Sequence, residues 1–335
     1  MKYPAEVDVS VLILFFNRPD HLEKVFDAVR RARPSRLFLY QDGPRSEKDI
    51  PLMQQCRDIV SNIDWQCEVQ RNYQTQNSGC DPSGYNAQTW AFSQTDKCIV
   101  LEDDCLPSVS FFSFCKEMLD RYENDERITM IAGFNSDEIT PGVEDDYFFT
   151  SVFSIWGWAS WRRVIDKWDA SYSFMDDRQT MARLQGVMKQ RGYWKGMLDL
   201  CAQHRASGIA HFETIFSSSM VLNSGLAITP TRNMINNLGA EGESTHYGGS
   251  LAAMPRRVRR MFTMKRYDVS FPLRHPKYVI ENVGYKESVY RTYAYGHPMI
   301  KVGRSMEELV LNLRYGNFKF ILKSVRNRLR KWGIM

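Results

Sequence analysis

The chain has no run of apolar residues long enough to cross a membrane. Its longest, such as Val11–Phe16, fall far short of the roughly 18–20 residues a helical span needs. The opening stretch MKYPAEVDVS lacks the apolar centre of a secretory leader. There is no CxxC pair, and the seven cysteines are odd in number and several sit inside apolar runs, which reads as buried thiols in a reducing cytoplasm rather than a disulfide framework. Low-complexity tracts are missing, and so are GxxxxGK[ST] and GxGxxG, the glycine-rich signatures of phosphate-cradling loops.

What is present, in 335 residues, is an ordinary globular composition with 43% hydrophobic and 25% charged residues. The charge is unevenly placed. From Arg256 onward the chain has 19 Lys and Arg against 5 Asp and Glu, a net +14, which leaves residues 1–255 at −9. This divides the chain into a catalytic-type body over 1–255 and a basic extension over 256–335. Within the extension, FKFILKSVRNRLRKW places Phe318, Ile321, Leu322, Val325, Leu329 and Trp332 on one helical stripe, with Lys and Arg opposite. That pattern fits a helix lying on an anionic membrane surface, and no nucleic-acid-binding motif accompanies the charge.

Strand and helix patterns alternate through the first 135 residues. Apolar runs over Val9–Phe16, Arg36–Gln41, Gln66–Gln70, Lys97–Leu101 and Ile128–Ala132 read as strands. Helical spacing follows Pro19 and covers Glu47–Ile63, Tyr85–Phe92 and Phe111–Tyr122, with a polar loop over Asn72–Ser83. Such alternation predicts an α/β fold with a mixed, mainly parallel sheet covered by helices on both faces. In open sheets of this kind ligands bind at the carboxyl ends of strands, near the point where the strand order reverses. Asn17 and Arg18, Asp42, and the acids Glu102, Asp103 and Asp104 all stand at such ends.

The acidic triplet in CIVLEDDCLP admits two readings, a solvated helix start or a cation site. Like charges at a strand end favour a hard divalent ion, Mn²⁺ or Mg²⁺, held by one or two carboxylates with phosphate oxygens completing its shell. The chemistry that needs this has a diphosphate as leaving group. FFNRPDH after the first strand has no glycine, which weighs against sugar-nucleotide-forming nucleotidyltransferases.

Five blocks in this order, VLILFFNRPDHL, LYQDGPR, IVLEDDCLPSVSFF, IWGWASW and GLAITPTRNMINNLGAEGESTH, resemble a bacterial family of GT-A-fold glycosyltransferases, itself similar to N-acetylglucosaminyltransferase I. The resemblance covers roughly residues 8–280. It implies a metal-dependent, inverting transfer from a UDP-sugar to a glycan or lipid-linked saccharide acceptor, in surface polysaccharide synthesis at the inner face of the bacterial membrane. By that resemblance Arg18 and Asp42 hold the base, Asp103 the ribose, Asp104 and His246 the metal, and Glu102 lies near the donor sugar. Glu213 stands where the family has an aspartate base, with Asp176 and Asp177 in reserve. Trp156, Gly157 and Trp158 are candidates to line a pocket, and Asn77 and Tyr85 are weaker ones, while Asp81 replaces a basic residue of the family. The spacing Trp158, Trp161, Ile165, Trp168 reads as a helical core stripe. Two other readings stay open: a sugar-1-phosphate nucleotidyltransferase, and a non-catalytic sugar-nucleotide or glycan-binding protein.

Overall fold

The computed structural model describes residues 2–187, 191–240, 251–318, 320–322 and 326. Four strand–helix units open the chain: β1 (Val7–Phe15), α1 (Pro19–Ala32), β2 (Pro34–Gln41), α2 (Ile50–Ser61), β3 (Glu68–Tyr73), α3 (Cys80–Phe92), β4 (Lys97–Glu102), then β5 (Cys105–Pro107) and α4 (Ser110–Arg121). There follow β6 (Ile128–Ala132), β7 (Tyr147–Thr150), β8 (Trp158–Trp161), α5 (Arg162–Ile165), α6 (Arg178–Val187), α7 (Arg191–Ser207), α8 (Phe212–Leu222), β9 (Leu226–Pro230) and β10 (Ile235–Asn237). The chain continues through α9 (Arg256–Thr263), α10 (Val283–Tyr293) and α11 (Pro298–Arg314).

Local chemistry accounts for the early elements. Val11–Ile13 of β1 and Cys98–Leu101 of β4 are buried without alternation, as strands covered on both faces must be. In α1, Pro19 sits in the first turn with Asp20, and Arg30 and Arg31 fall in the last, matching the helix dipole at both ends. Leu22, Val25, Phe26 and Val29 form its buried face. Arg33 then takes a left-handed conformation, φ 49°, and its N–H bonds back to Val29, which ends the helix.

Eight strands form one mixed, mainly parallel sheet in the order β3-β2-β1-β4-β8-β6-β9-β7. β1 lies between β2 and β4 and is parallel to both, with Leu14 opposite Glu102. The chain therefore moves outward through β2 and β3, then returns to the other side of β1 for β4. That reversal is the switch point of a Rossmann-like sheet. A second, two-stranded ribbon pairs β5 with β10 antiparallel.

One stretch differs from its sequence reading. Trp158–Trp161 is not a helical stripe but the antiparallel strand β8, wedged between β4 and β6. It is only four residues long and buried on both faces, so it has no alternation to reveal it, and the three-residue interval between its tryptophans imitates a helix. Of the basic extension, Met261, Met264 and Leu273 join the main core, and Tyr285, Val289 and Tyr290 of α10 pack with Phe148 and Val152. Most of the expected helix over 318–332 lies outside the described residues. No described helix is long and apolar enough to cross a membrane.

Candidate active site

The carboxyl ends of β1 and β4 meet at the switch point. Glu102, Asp103 and Asp104 occupy the end of β4 and the turn into β5. This turn is fixed from outside: Leu238 N–H donates to the Asp104 carbonyl at 2.8 Å as β10 leaves the ribbon. Gly239 then passes so close that a Cβ there would stand 2.4 Å from Asp104 Oδ2, and any side chain would push the carboxylate out of place.

Arg18, just past β1, reaches across to the acids. Its Nη2 donates to Asp103 Oδ1 at 2.6 Å and its Nη1 to Asp104 Oδ2 at 3.0 Å. Phe16 N–H donates to the second Asp103 oxygen at 3.2 Å. Burial alone would lower the Arg18 pKa, but the charges of Asp103, Asp104 and Glu102 outweigh it and hold the guanidinium above its usual range. Asp103 is only 2% exposed, and burial raises its carboxyl despite Arg18. Glu102 is raised as well, by burial first and then by Asp104, Glu213 and Asp103. One guanidinium thus faces three carboxyls, and Glu213 of α8 adds a fourth negative group within electrostatic range.

The other sequence candidates separate into distinct roles. Asn17 donates to Asp49 at 2.7 Å and serves the start of α2. Asp42 accepts from the backbone of Gly43, Ser78 and Gly79, and from Asn77 Nδ2 at 2.9 Å, so Asp42 and Asn77 together organise the loop before α3. Asp176 pairs with Arg205 on the surface, and Asp177 caps the start of α6 through Gln179 and Thr180. Trp158 is 1% exposed and packs on Phe216 in the core. Tyr85 stacks on Trp168, and Asp81 pairs with His211 at 3.3 Å. Gly157 adopts φ +62° with Ile235 packed where a Cβ would stand. His246 lies outside the described residues.

Glu213 and Trp156 do come together. They line a cavity of about 510 Å³ with Phe153, Thr214, Tyr293 and Tyr295. The two tyrosines come from the far end of α10 and beyond it. Sequence reasoning missed them because nothing in YRTYAYG signals which side of the molecule they reach.

The acids suit a hard divalent ion. Their donors are oxygens, and the single Arg18 charge leaves them net negative. Among the described residues no three His, Cys, Asp or Glu converge into a ready-made metal cage. A Mg²⁺-like ion does not need one, since one or two carboxylates and substrate phosphates suffice.

No family model matches the chain, and the search of curated proteins found no match. Solved structures it resembles include inositol-1-phosphate CTP transferase from T. maritima, at 10% identity over 78% of this chain and 97% of that one, TM-score 0.37. Another is 4-diphosphocytidyl-2C-methyl-D-erythritol synthase from Anaerococcus prevotii DSM 20548, at 12% identity over 48% and 73%, TM-score 0.30. One is named as a CTP transferase and the other as a diphosphocytidyl-methylerythritol synthase, and neither is named as a glycosyltransferase. This corrects the resemblance to the N-acetylglucosaminyltransferase I-like family and what it implied: a hexosyl- or N-acetylhexosaminyl-transferase using a UDP-sugar, a glycan or lipid-linked acceptor, and polysaccharide synthesis. For the membrane surface expected as partner of the basic helix there is no support among the described residues, since most of that helix lies outside them.

Proposed function

We propose that the protein is a metal-assisted nucleotidyltransferase that joins a nucleoside monophosphate unit to a small phosphorylated acceptor, such as a sugar phosphate, and releases pyrophosphate. The observation that carries this reading is the cluster of Glu102, Asp103 and Asp104 around Arg18 at the switch point. Such an arrangement accepts polyphosphate only with a cation, and it presents a guanidinium of its own beside the place for one. The lack of glycine in FFNRPDH weighs less against this reading once Arg18 is seen: a fixed guanidinium supplies there the positive charge that a backbone loop supplies elsewhere.

In this reading Asp104 holds a Mg²⁺ or Mn²⁺ ion, which when bound neutralises charge on the phosphates as the bond to pyrophosphate breaks. Arg18 holds Asp103 and Asp104 in register and faces the phosphates. The loop shaped by Asp42 and Asn77 borders the nucleotide. The cavity beside Glu213 and Trp156 takes the acceptor, whose phosphate oxygen attacks the α-phosphorus in line. Seven free thiols, five of them fully buried, fit a reducing cytoplasm.

The test is pyrophosphate release. Each of the four nucleoside triphosphates is supplied with Mg²⁺ or Mn²⁺ and a panel of sugar and polyol phosphates. One triphosphate should release pyrophosphate only when an acceptor is present, and Asp104→Asn should abolish both the release and the metal-dependent rise in melting temperature. Binding of triphosphate without release under any acceptor would reduce the protein to a nucleotide-binding module.

A further inference from the structure

α11 is turned the wrong way round for a protein that works alone. The side that lies on the molecule carries Arg304, Glu307, Glu308 and Asn312, with Ile300 and Leu311 between them. Glu307 accepts from Arg256 N–H at 2.9 Å, and Arg304 Nη1 donates to the Tyr293 carbonyl at 3.2 Å. The opposite side faces solvent and is apolar throughout: Met299 is 87% exposed, Val302 63%, Met306 57%, Val310 58% and Leu313 51%. Together with Leu309, the stripe 299, 302, 306, 309, 313 repeats at alternating intervals of three and four, the spacing of a helix–helix seam. A contiguous exposed stripe of this kind marks an interaction surface.

We infer that the stripe is the seam of a homodimer in which two copies of α11 pack antiparallel about a two-fold axis at Met306. Three observations point to a second copy. Apart from Leu309, whose counterpart is Gly303, the stripe is symmetric about Met306: Val302 and Val310 stand four residues to either side, and Met299 and Leu313 seven. An antiparallel two-fold pair therefore sets Val302 on the partner's Val310, Met299 on the partner's Leu313, and Met306 on its own copy. The exposed apolar side chains offer roughly 600 Å² per copy, so a pair buries on the order of 1,200 Å², the lower bound for a stable interface. The rest of α11 is close to neutral, with Lys301, Arg304 and Arg314 against Glu307 and Glu308, and the basic run by which a helix seeks anionic lipid begins only beyond it, at Lys319.

Light scattering and sedimentation of the full chain at micromolar concentration should show a doubled molar mass. Met306→Glu places two carboxylates on the axis and should weaken the dimer by at least about tenfold while the melting temperature of the monomer holds. In a Cys80→Ser background, Met306→Cys should cross-link to itself under mild oxidant. Met299→Cys should cross-link only when mixed with Leu313→Cys. A wild-type monomer throughout the micromolar range, a dimer indifferent to Met306→Glu, or failure of the Met306→Cys cross-link would each overturn the proposal. So would a monomer that co-sediments with vesicles of anionic phospholipid, which would give the stripe to lipid instead.

Discussion

Arg18 Nη2 lies 2.6 Å from Asp103 Oδ1, and the carboxylate in that contact is almost completely buried. Removing one partner of such a pair leaves the other as an uncompensated charge. Arg18→Ala should therefore destabilise the protein by about 3 kcal/mol in metal-free buffer. Mn²⁺ should recover part of the loss, because it can take over the unpaired acids. Arg18→Lys should fall between, since a single ammonium cannot span Asp103 and Asp104 as the guanidinium does. Urea unfolding with and without Mn²⁺ reads all three. If Mn²⁺ stabilises wild type and Arg18→Ala equally, the acids do not share their cation with Arg18.

Gly239 tests the same carboxylates from the other side. Its missing side chain is what lets the chain pass within contact distance of Asp104 Oδ2 and Asn237 Oδ1. Gly239→Ala should rotate Asp104 away from Arg18, costing about 1–2 kcal/mol and most of the Mn²⁺-dependent rise in melting temperature. Gly186 in α6 makes a good control, because nothing lies within 4 Å of where its Cβ would be. Gly186→Ala should be neutral or stabilising by up to about 1 kcal/mol, with the response to Mn²⁺ unchanged.

The sheet and its switch point were legible because β1 and β4 are buried on both faces and so appear as unbroken apolar runs ending in polar residues. Those runs located Arg18, Asp42 and Glu102–Asp104 at one rim without any contact being known. What each residue touches was not legible. Asp42 reads as a ligand-facing acid at a strand end, yet its oxygens accept from Gly43 and from the loop at Asn77–Gly79, more than thirty residues away in the chain. Trp158 reads as helix or pocket because four doubly buried residues carry no period. Tyr293 and Tyr295 were invisible because a long-range return of the chain, not a local pattern, brings them to Glu213. The acidic triplet also suggested sugar transfer, because a carboxylate cluster records the need for a cation and not the bond that is broken.

Asp42 gives a prediction in which a near-isosteric change is as harmful as a deletion. Every contact the structure gives its carboxylate is with an N–H donor. Asp42→Asn turns one acceptor into an NH₂ group facing those donors, so it should cost about 2–3 kcal/mol, close to Asp42→Ala. Both should loosen the loop over residues 76–79. Hydrogen exchange at the Ser78 and Gly79 amides should speed up in both variants, while the amides of β6 and β9 stay protected. An Asp42→Asn protein with wild-type stability and exchange would mean that Asp42 is free to serve a ligand.

The last prediction concerns acid. His204 stacks on His211 with ring centres 3.6 Å apart, and its Nδ1 lies 2.8 Å from Thr214 Oγ1, which lies 2.6 Å from the buried Tyr172 hydroxyl. Burial lowers the His204 pKa, His211 lowers it further, and Asp81 opposes both more weakly. The folded protein therefore holds a proton on this imidazole less readily than the unfolded chain does, where the value is about 6.5. Below that pH the unfolded state binds more protons, so the contribution of neutral His204 is complete above about 6.5 and is lost as the pH falls toward the folded value. His204→Gln keeps a polar group near Thr214 but cannot take up the proton. Its melting temperature should fall less than that of wild type between pH 7 and pH 5, and the two curves should run parallel above pH 7. Because Thr214 also lines the cavity beside Glu213, wild type alone should lose occupancy of that cavity over the same acid range. Equal slopes in the two proteins would show that protonation of His204 is no harder in the folded state than in the open chain.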